Sequence, residues 1–536
     1  MASESPLRDL HDRLNELLEK NHNKSKPWLG WPTTWEGLRL SHDQTILREY
    51  LTSPDIHRGK LEEVRRQFLR VVTERGLAKP GAAVFLEGGT TDEWMLYSSD
   101  CNKAAFRQEA FFQHLVGVNE PDIYAAFVLS SHELLLFIPK IPADALRFMG
   151  PPKDANFYRS RYAVTDAIAV EAISDVEAEL QVRSAVDSPD ACVRTVHVLK
   201  GVNSDSGRPV APPKALNSFS SFTVDCSALY DILVECRLCK TPLEAEYLAA
   251  ACLCSSQAHC FVARNIRPGM VEGQAEAIFK AYVGFVGGAR HVAYDCICCA
   301  GENASILHYG HAGRPNDGSI KDNDLLLFDM GGDYNGYATD ITLTYPSNGI
   351  FTETQKAIYE AVLDAQNSVI ERMRPGVEWT ELHRLAELVI LKHLKSLRIL
   401  VGSLEDCVAA NLGSIFMPHG LGHFMGMDTH DVGGFTPSSP PSDLPGLRYL
   451  RTTRTLEEGM CITVEPGCYF VDHLLKQAAK NASQAHLLDF EVIEKYKSVG
   501  GVRLEDDVLI TRNGVRNLTV VPRSVSEVEE LLHLRV

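Results

Sequence analysis

The sequence predicts a protein of the α+β class, in which a smaller α/β domain precedes a larger C-terminal domain. An amphipathic stretch over residues 43–76 is followed by apolar strand-like runs such as AAVFLEGG, IYAAFVLSS, ELLLFIP and VRTVHVLKG. Thr241-Pro242-Leu243-Glu244 then combines a capping residue, a proline at the first helical position and a glutamate three residues after the cap, which predicts a helix from residue 242. We therefore predict an N-terminal extension over 1–40, an α/β domain over 41–235 and a C-terminal domain over 236–536.

Further elements follow from local patterns. Helical periodicity predicts helices over 353–373 and 379–398, between strand-like segments that carry acidic residues. The segment 201–221 is rich in turn-forming residues and interrupts the α/β domain. In the extension, leucines at helical spacing predict a short amphipathic helix that packs on the protein's own surface. These leucines are Leu7, Leu10, Leu14 and Leu17.

Composition excludes several classes of protein. Apolar residues make up 45% and charged residues 23% of the 536 residues, which is ordinary for a globular chain and excludes disordered, collagen-like and coiled-coil chains. No run of eighteen apolar residues occurs, so we expect no transmembrane helix and no membrane partner. The net charge of −17 repels phosphate backbones, so we expect no nucleic-acid partner.

The cysteines and the N-terminus predict a cytoplasmic protein. The 14 cysteines are too dilute for a disulfide scaffold, and the first twenty residues contain no apolar signal core and several acidic residues that a transit peptide avoids. Two CxxC pairs, Cys236/Cys239 and Cys296/Cys299, are interpreted as buried small apolar residues. A metal or redox role for these pairs is the alternative.

The segment LLLFDMGGDYNGYATDITLTYP, residues 325–346, predicts a β-hairpin around a turn at residues 333–336. If Tyr334 and Asn335 form the centre of the turn, Asp329 and Asp340 lie directly opposite each other on one face. Facing carboxylates repel, so this register requires a proton or a metal cation between them. The inference depends on the register, because moving the turn by one residue removes the direct pairing.

The segment FMPHGLGHFMGMDTHDVGG, residues 416–434, contains three histidines in twelve residues. His419 and His423 have the i, i+4 spacing of a helical zinc pair, but the surrounding glycines and proline favour a loop or an extended segment. Glycines there allow the backbone to approach a ligand closely. His430 follows seven residues after His423. A hydrogen-bonded structural role is the alternative for each histidine.

Two further strand-like segments each present an acid. Glu465 lies in the apolar run MCITVEPGCYF, and a buried carboxylate there needs a partner, of which a cation is the strongest. Glu505 follows Arg503 in GGVRLEDDVLIT. Together with the two aspartates and one histidine, these acids form an oxygen-rich ligand set that suits Mn²⁺ or a similar divalent ion better than structural zinc. Four carboxylates balance the charge of two divalent ions, which favours a two-metal centre.

These motifs resemble those of the pita-bread metallopeptidases and, within them, of the Xaa-Pro dipeptidases (prolidases). The ligand order Asp, Asp, His, Glu, Glu is present in DMGGDYNGYATD, HGLGH, VEPG and RLEDD, with spacings of 11, 83, 42 and 40 residues. The resemblance continues through CICCAGENASILHYGHAG, VGVNEPDIY and GVNSDSG, and covers nearly everything after residue 40. It implies a C-terminal pita-bread domain preceded by the smaller α/β domain, and a homodimer.

The resemblance also implies the ligands of a two-metal centre with a bridging hydroxide. Asp329 would chelate one metal and Asp340 would bridge both metals. His423 and Glu465 would bind the other metal, and Glu505 would bridge. Glu465 matches, in addition, the position proposed to carry the proton.

Other positions match residues that contact the substrate. His308, His419 and His430 match active-site histidines, and His419 or His430 would stabilise the oxyanion. Arg451 matches the arginine that binds the carboxylate of the C-terminal proline, and Arg503 matches an arginine near the metals. The predicted activity is hydrolysis of Xaa-Pro dipeptides with two divalent ions, Mn²⁺ being the expected metal.

Two alternatives remain at this point. Aminopeptidase P enzymes, which act on longer peptides, share the ligands but generally lack the longer stretches seen here at 435–455 and 472–498. Metal-free creatinase-like members and non-catalytic relatives share the fold, and the five intact ligands argue against them. The extra residues at the N-terminus depart from the usual prolidase pattern.

Overall fold

The computed structural model describes residues 6–34, 39–91, 105–185, 194–210, 213, 219–310 and 315–535. The chain divides into two compact units. The smaller unit comprises Thr52–Glu244, and the larger unit comprises Met1–Leu51 together with Ala245–Val536. The domain boundaries predicted at residues 41 and 236 stay a prediction, because a division into compact units does not test them.

Helices and strands alternate along the described residues, as expected for the predicted α+β class. In chain order the helices are α1 (Pro6–Asn23), α2 (His42–Thr52), α3 (Pro54–Glu74), α4 (Ala110–Leu115), α5 (Leu146–Met149), α6 (Ala155–Tyr162), α7 (Ile173–Ala185), α8 (Leu229–Leu238), α9 (Pro242–Asn265), α10 (Glu272–Tyr282), α11 (Glu353–Arg372), α12 (Trp379–Ser396), α13 (Leu404–Ala409), α14 (Gly413–Phe416), α15 (Asp472–Lys480), α16 (Ala482–Ala485), α17 (Phe490–Tyr496) and α18 (Val525–His533). The strands are β1 (Ala82–Glu87), β2 (Tyr124–Val128), β3 (Glu133–Pro139), β4 (Asp166–Val170), β5 (Thr195–Val198), β6 (Gly201–Val202), β7 (Pro209–Val210), β8 (Thr223–Asp225), β9 (His291–Val292), β10 (Ile297–Ala300), β11 (Leu325–Asp329), β12 (Gly332–Tyr334), β13 (Tyr337–Ala338), β14 (Thr342–Pro346), β15 (Cys461–Val464), β16 (Gly467–Tyr469), β17 (Gly501–Arg503), β18 (Asp506–Thr511) and β19 (Gly514–Asn517).

The smaller unit is built on one mixed sheet with the strand order β4-β3-β2-β1-β5-β8. Strands β1, β2 and β3 form an antiparallel meander, and β4, β5 and β8 add in parallel. All four apolar runs predicted as strands are confirmed as β1, β2, β3 and β5. Their apolar side chains, for example Phe85, Leu135 and Val196, form a buried cluster.

The turn-rich segment 201–221 contains the short pair β6 and β7, joined by a turn at 203–208. Residues 211–212 and 214–218 of that segment lie outside the described residues. The amphipathic stretch over 43–76 forms α2 and α3 rather than one helix. Ser53 caps α3 by accepting a hydrogen bond from the backbone N–H of Ile56, and Pro54 occupies the first helical position.

The larger unit contains several short sheets packed with long helices. Its three-stranded sheets have the orders β10-β11-β14, β13-β12-β9 and β15-β18-β19, and β16 pairs with β17. The helices predicted to begin at 242 and to span 353–373 and 379–398 are confirmed as α9, α11 and α12. Thr352 begins α11 with a reciprocal cap, because its side chain accepts from the N–H of Gln355 while the Gln355 side chain accepts from the N–H of Thr352.

The hairpin over 325–346 forms, but its register differs from the predicted one. Asn335 and Gly336, with φ of 53° and 89°, occupy the centre of the turn. Asp329 therefore lies opposite Thr342 rather than Asp340, so the predicted direct pairing of the two aspartates is wrong. A two-residue turn with positive φ at both central positions favours Asn-Gly strongly, and this preference moves the turn by one residue.

The N-terminal extension folds as predicted into an amphipathic helix, α1, which belongs to the larger unit. Leu14 and Leu17 are buried. The following segment is fastened by the indole of Trp31, which donates to Oδ1 of Asn21 at 2.9 Å, and by Arg264, which donates to the carbonyl oxygen of Trp31 at 2.9 Å. The helix thus packs on its own protein, which confirms that prediction.

The cysteine pairs lie in different compact units, Cys236 and Cys239 in the smaller and Cys296 and Cys299 in the larger. Burial raises the pKa of the Cys236 thiol to about 12 and raises that of Cys299 as well, so both thiols are protonated at neutral pH. The burial of Cys236, Cys296 and Cys299 supports their interpretation as buried apolar residues, whereas Cys239 is only partly buried. Among the described helices, none is long and apolar enough to cross a membrane.

Candidate metal centre and active-site cavity

Strand ends in the larger unit place the predicted acids around one point. Asp329 is the last residue of β11, Asp340 lies between β13 and β14, and Glu465 directly follows β15. Arg503 ends β17, and Glu505 lies just before β18. Because Thr342 and Glu505 form an isolated β-bridge, the two halves of the predicted ligand set meet across neighbouring strands.

The glycine-rich segment around His423 is extended, as predicted, and not helical. A Cβ atom on Gly422 would lie 2.0 Å from the carbonyl oxygen of Thr463, so the backbone passes β15 in direct contact. The N–H of Thr463 donates to the carbonyl of His423 at 2.9 Å, and the N–H of His423 donates to Oγ1 of Thr463 at 3.0 Å. These bonds fix the His423 side chain against the carboxylates.

His423 has the hydrogen bonding of a metal ligand. Its Nδ1 lies 3.1 Å from the carbonyl oxygen of Phe424, which assigns the ring proton to Nδ1. The unprotonated Nε2 then faces Oδ2 of Asp340 at 3.4 Å and Oε1 of Glu465 at 3.5 Å. Asp340, His423 and Glu505 each offer a ligand atom, and these atoms lie within 4.8 Å of one another. A lone pair facing carboxylate oxygens at this distance calls for a cation between them.

The electrostatics agree with this assignment. Burial, and after it the charge of Asp329, raises the pKa of Asp340 well above its usual range. Burial is also the first cause that raises the pKa of Glu465 to about 7 and that of Glu505 well above its usual range. Arg503 compensates only part of the charge, through Nη2 at 2.5 Å from Oδ2 of Asp329. A surplus of buried carboxylate oxygens with one imidazole fits divalent metal ions.

Tyr294 is a site residue that sequence reasoning missed. Its hydroxyl lies within hydrogen-bond distance of Oδ1 of both Asp329 and Asp340, 2.6 Å in the case of Asp340. A phenol has one hydrogen, so it satisfies one of the two carboxylates at a time. The second oxygen needs a proton or a cation, which is a further indication of a metal site. No pattern around Tyr294 distinguishes it from a core tyrosine in the sequence.

Two threonines and one aspartate were also missed. Thr342 donates to Oε2 of Glu505 at 2.6 Å, and Thr463 donates to Oε1 of Glu465 at 3.2 Å. Asp507 accepts from the backbone N–H of Asp340 at 3.1 Å. The two-residue period of a β-strand could have indicated Thr463, because it lies two residues before Glu465 and therefore on the same face. The contacts of Thr342 and Asp507 join segments that are distant in sequence.

The predicted acids and His423 line a cavity of about 560 Å³. The structure brings all ten predicted site residues to its lining, including those that no metal argument singled out. They are Asp329, Asp340, His423, Glu465, Glu505, His308, His419, His430, Arg451 and Arg503. Tyr294 and Tyr449 line the same cavity. The roles of these residues stay predictions, whereas their common location is an observation.

The two other histidines of the glycine-rich segment differ in their surroundings. His419 has Nδ1 at 2.7 Å from the carbonyl of Gly420 and Nε2 at 3.0 Å from the hydroxyl of Tyr469. The ring of His430 stands edge-on to that of His423, with centroids 4.4 Å apart. Burial lowers the pKa of His419 to about 3 and that of His430 to about 2, so both are neutral at pH 7.

Comparison with known proteins agrees with this geometry. Residues 246–512 match metallopeptidase family M24, and residues 62–186 match the aminopeptidase P N-terminal domain. The chain is 43% identical over 465 residues to the Xaa-Pro dipeptidase of Rattus norvegicus, which covers 87% of this chain and 92% of that protein. It is 34% identical over 482 residues to a probable Xaa-Pro aminopeptidase of Pyrenophora tritici-repentis, covering 89% and 98%.

Solved structures show the same fold. The zinc-substituted E. coli aminopeptidase P in complex with product matches with a TM-score of 0.70 at 27% identity, over 89% of this chain and 99% of that one. The predicted architecture, a pita-bread domain preceded by a smaller N-terminal domain, is thereby confirmed.

Proposed function

Because this chain belongs to metallopeptidase family M24, we propose that it is a metal-dependent dipeptidase that hydrolyses Xaa-Pro dipeptides. The relatives named Xaa-Pro dipeptidase align with 87% of the chain. The observation that carries the proposal is the lining of one cavity by a buried surplus of carboxylates around His423 and by the guanidinium of Arg451. A small peptide can reach a metal centre and an anion-binding group at the same time there.

We propose that two divalent ions, Mn²⁺ in the cell, are held by Asp329, Asp340, His423, Glu465 and Glu505. The oxygen-rich donor set supports this choice of metal. When bound, such ions lower the pKa of a water molecule and polarise the scissile carbonyl group. The hydroxyls of Thr342 and Thr463 keep two of the carboxylates oriented, through the hydrogen bonds described above.

Glu465 is assigned the proton transfer. Its Oε2 lies 3.9 Å from Nδ1 of His419, and its Oε1 accepts from Thr463. The proline nitrogen must be protonated before it leaves, and a carboxyl group that lines the cavity can deliver that proton. His419 and His430 line the same cavity as Glu465, and we assign the oxyanion contact to one of these two histidines.

The free ends of the substrate provide its recognition. An imide bond to proline has no N–H, and its ring excludes the extended pairing that ordinary proteases use. Arg451 would pair with the carboxylate of the C-terminal proline in a charge-assisted bond, and His308 would contact the substrate beside it. A longer peptide carries an amide at that place, which leaves the guanidinium without its anion and costs affinity.

Activity on Gly-Pro and on an Xaa-Pro-Xaa tripeptide, each with Mn²⁺ and with chelator, tests the proposal. We expect chelation to abolish hydrolysis and Mn²⁺ to restore it, with a preference of roughly a hundredfold or more for the dipeptide. Activity retained after complete metal removal would contradict the metal-dependent mechanism. A preference for the tripeptide would identify an aminopeptidase instead.

The variant Arg451→Ala tests the carboxylate assignment. It should raise KM for Gly-Pro about a hundredfold, narrow the gap between dipeptide and tripeptide, and leave the metal content unchanged. Arg512→Ala is the control, because Arg512 is an exposed arginine that does not line the cavity. Wild-type KM in Arg451→Ala would show that the assignment is wrong.

We further propose that the enzyme is a cytoplasmic homodimer. The homodimer is proposed from the family resemblance, and light scattering at micromolar concentration tests it through the mass. The twelve cysteines among the described residues are free thiols, which supports a reducing compartment.

A further inference from the structure

The loop that carries Arg451 into the cavity, residues 444–452, has little regular structure of its own. Its centre is a single 3₁₀ turn, Leu447–Tyr449. Leu447 and Leu450 are buried, while Tyr449 and Arg451 line the cavity. A short loop of this kind needs fixed contacts on both sides if it is to hold a guanidinium in one place.

Helix α12 supplies one set of these contacts through two charged side chains. Arg384 donates from Nη1 to Oε2 of Glu387 at 2.6 Å and from Nη2 to the carbonyl oxygen of Pro445 at 2.9 Å. Gly446 has a φ of +82°, and a Cβ atom there would lie 2.5 Å from Oε1 of Glu387. The start of the loop is therefore pressed against this ion pair.

The position of Glu387 is itself closely defined. The side chain is buried between the loop and α14, since a Cβ atom on Gly413 would lie 2.9 Å from it. Nε2 of His383, one helical turn earlier, lies 3.5 Å from Oε1 of Glu387. Burial by itself would raise the pKa of Glu387, but His383 and Arg384 lower it below the usual range, so the group is ionised.

On the other side of the loop, the backbone passes close to two glycines. A Cβ atom on Gly420 would lie 2.8 Å from the carbonyl oxygen of Tyr449, and one on Gly434 would lie 2.1 Å from the carbonyl oxygen of Arg451. Both glycines belong to the glycine-rich segment that also carries His423. The charged side chains of α12 thus contact one side of the loop, and these two glycines contact the other side.

We propose that Arg384 and Glu387 are positioning residues for substrate recognition, which hold the loop at Pro445 and Gly446 and thereby fix the guanidinium of Arg451. Neither residue lines the cavity. The inference rests on the proposed function, because it assigns to this ion pair the alignment of the group that binds the proline carboxylate. Loss of the pair leaves the chemistry intact and weakens recognition of the dipeptide carboxylate.

The variants Arg384→Ala and Arg384→Lys test this inference in the Mn²⁺-loaded enzyme. Arg384→Ala should raise KM for Gly-Pro about tenfold and narrow the dipeptide preference by the same factor, with kcat and metal content within about twofold of wild type. Arg384→Lys, which keeps the charge but cannot reach both partners with one planar group, should recover part of the effect. Lys392→Ala is the control, because Lys392 is an exposed cation on the same helix.

A double-mutant cycle with Arg451→Ala separates positioning from general stability. When Arg451 is absent, Arg384→Ala should have no further effect on KM, because the group that it aligns is gone. Additive effects, or equal losses in kcat and metal content, would overturn the inference. If Arg451→Ala alone leaves KM unchanged, the carboxylate assignment fails first, and the two failures are therefore distinguishable. Glu387→Gln provides an independent second variant with the same expected change in KM.

Discussion

The two compact units both bury carboxylates, but they treat the charge differently. In the smaller unit, Glu244 accepts the N–H of Thr241 at 2.9 Å and faces Nε2 of His114 at 3.0 Å, with both side chains almost fully buried. Burial by itself would raise its pKa, but the charge and hydrogen bond of His114 and the other partners lower the pKa to about 2. The group is ionised and satisfied within the protein.

In the larger unit, the carboxylates around the cavity have the opposite character. The pKa values of Asp340, Glu465 and Glu505 are raised, because burial and neighbouring carboxylates outweigh the few cations nearby. The comparison shows that burial of an acid is not by itself a sign of function. A buried acid that the protein leaves undercompensated indicates a ligand of opposite charge, whereas a compensated acid belongs to the framework.

Glu505 and Asp506 test whether compensation, rather than burial, separates a ligand-binding acid from a framework acid. They are neighbours in sequence, and both are buried. Asp506 forms an ion pair with Arg523 and accepts from Nδ2 of Asn517 at 2.7 Å. We expect Glu505→Gln to lower kcat/KM on Gly-Pro at least about 100-fold and to reduce bound metal. Asp506→Asn should retain metal but lower the free energy of unfolding by about 3 kcal/mol, because the buried ion pair between Asp506 and Arg523 is lost.

The stability of the metal-free protein shows whether Glu505 is a metal-binding acid or a framework acid. Urea denaturation with chelator present should give Glu505→Gln an unfolding free energy equal to or above that of wild type, since one repelling carboxylate is removed. Elemental analysis measures the metal in both variants. A chelated Glu505→Gln protein as unstable as Asp506→Asn would mean that Glu505 is a framework residue.

A second prediction concerns the compensated acid of the smaller unit. Glu244→Gln keeps the size of the side chain but removes the charge that His114 and Lys240 face, so the free energy of unfolding should fall by about 2 kcal/mol. Specific activity per folded molecule and metal content should be unchanged. Glu74→Gln, an exposed glutamate at the end of α3, is the control and should change stability by less than about 0.5 kcal/mol. Loss of metal in Glu244→Gln would mean that Glu244 contributes to metal binding and is not a framework residue.

Caps, strand propensity and helical periodicity were sufficient to predict most of the elements named in the sequence analysis. The cap at Thr241 with Pro242, the strand runs and the helices over 353–373 and 379–398 all appear close to where propensity and periodicity place them. The hairpin register was wrong because two adjacent turn centres compete, and the Asn-Gly pair at 335–336 wins through its positive φ values.

The site shows a similar limit. The carboxylates and histidines could be selected by residue type, but their partners could not. Tyr294 and Asp507 contact Asp340 from segments 46 and 167 residues away, and no local pattern encodes such a contact. The ion pair of Arg384 with Glu387 reads in the sequence as an ordinary i, i+3 pair on a helix. Its contact with Pro445 becomes visible only when the loop is folded against α12.

The last and smallest effect concerns histidines, which both units bury in neutral form. His57 of the smaller unit has Nε2 at 2.9 Å from the carbonyl of Gly117, and burial followed by the charge of Lys60 lowers its pKa to about 3. Between pH 6.5 and 3, His57 binds a proton in the unfolded chain but not in the folded protein. Lowering the pH through this range therefore favours the unfolded chain and lowers the free energy of unfolding. We expect this cost to be about 1 kcal/mol at pH 6.

The variant His57→Gln removes the titrating group while keeping a donor for Gly117. Its free energy of unfolding should lie below that of wild type at pH 8, where packing is the difference, and the gap should narrow as the pH falls through 6, measured by urea denaturation at each pH. A constant gap would mean that His57 becomes protonated in the folded state. His419, with its pKa lowered to about 3, lines the cavity, whereas His57 is a framework residue. A lowered histidine pKa therefore reports burial in either unit, and only the undercompensated carboxylates separate the site from the framework.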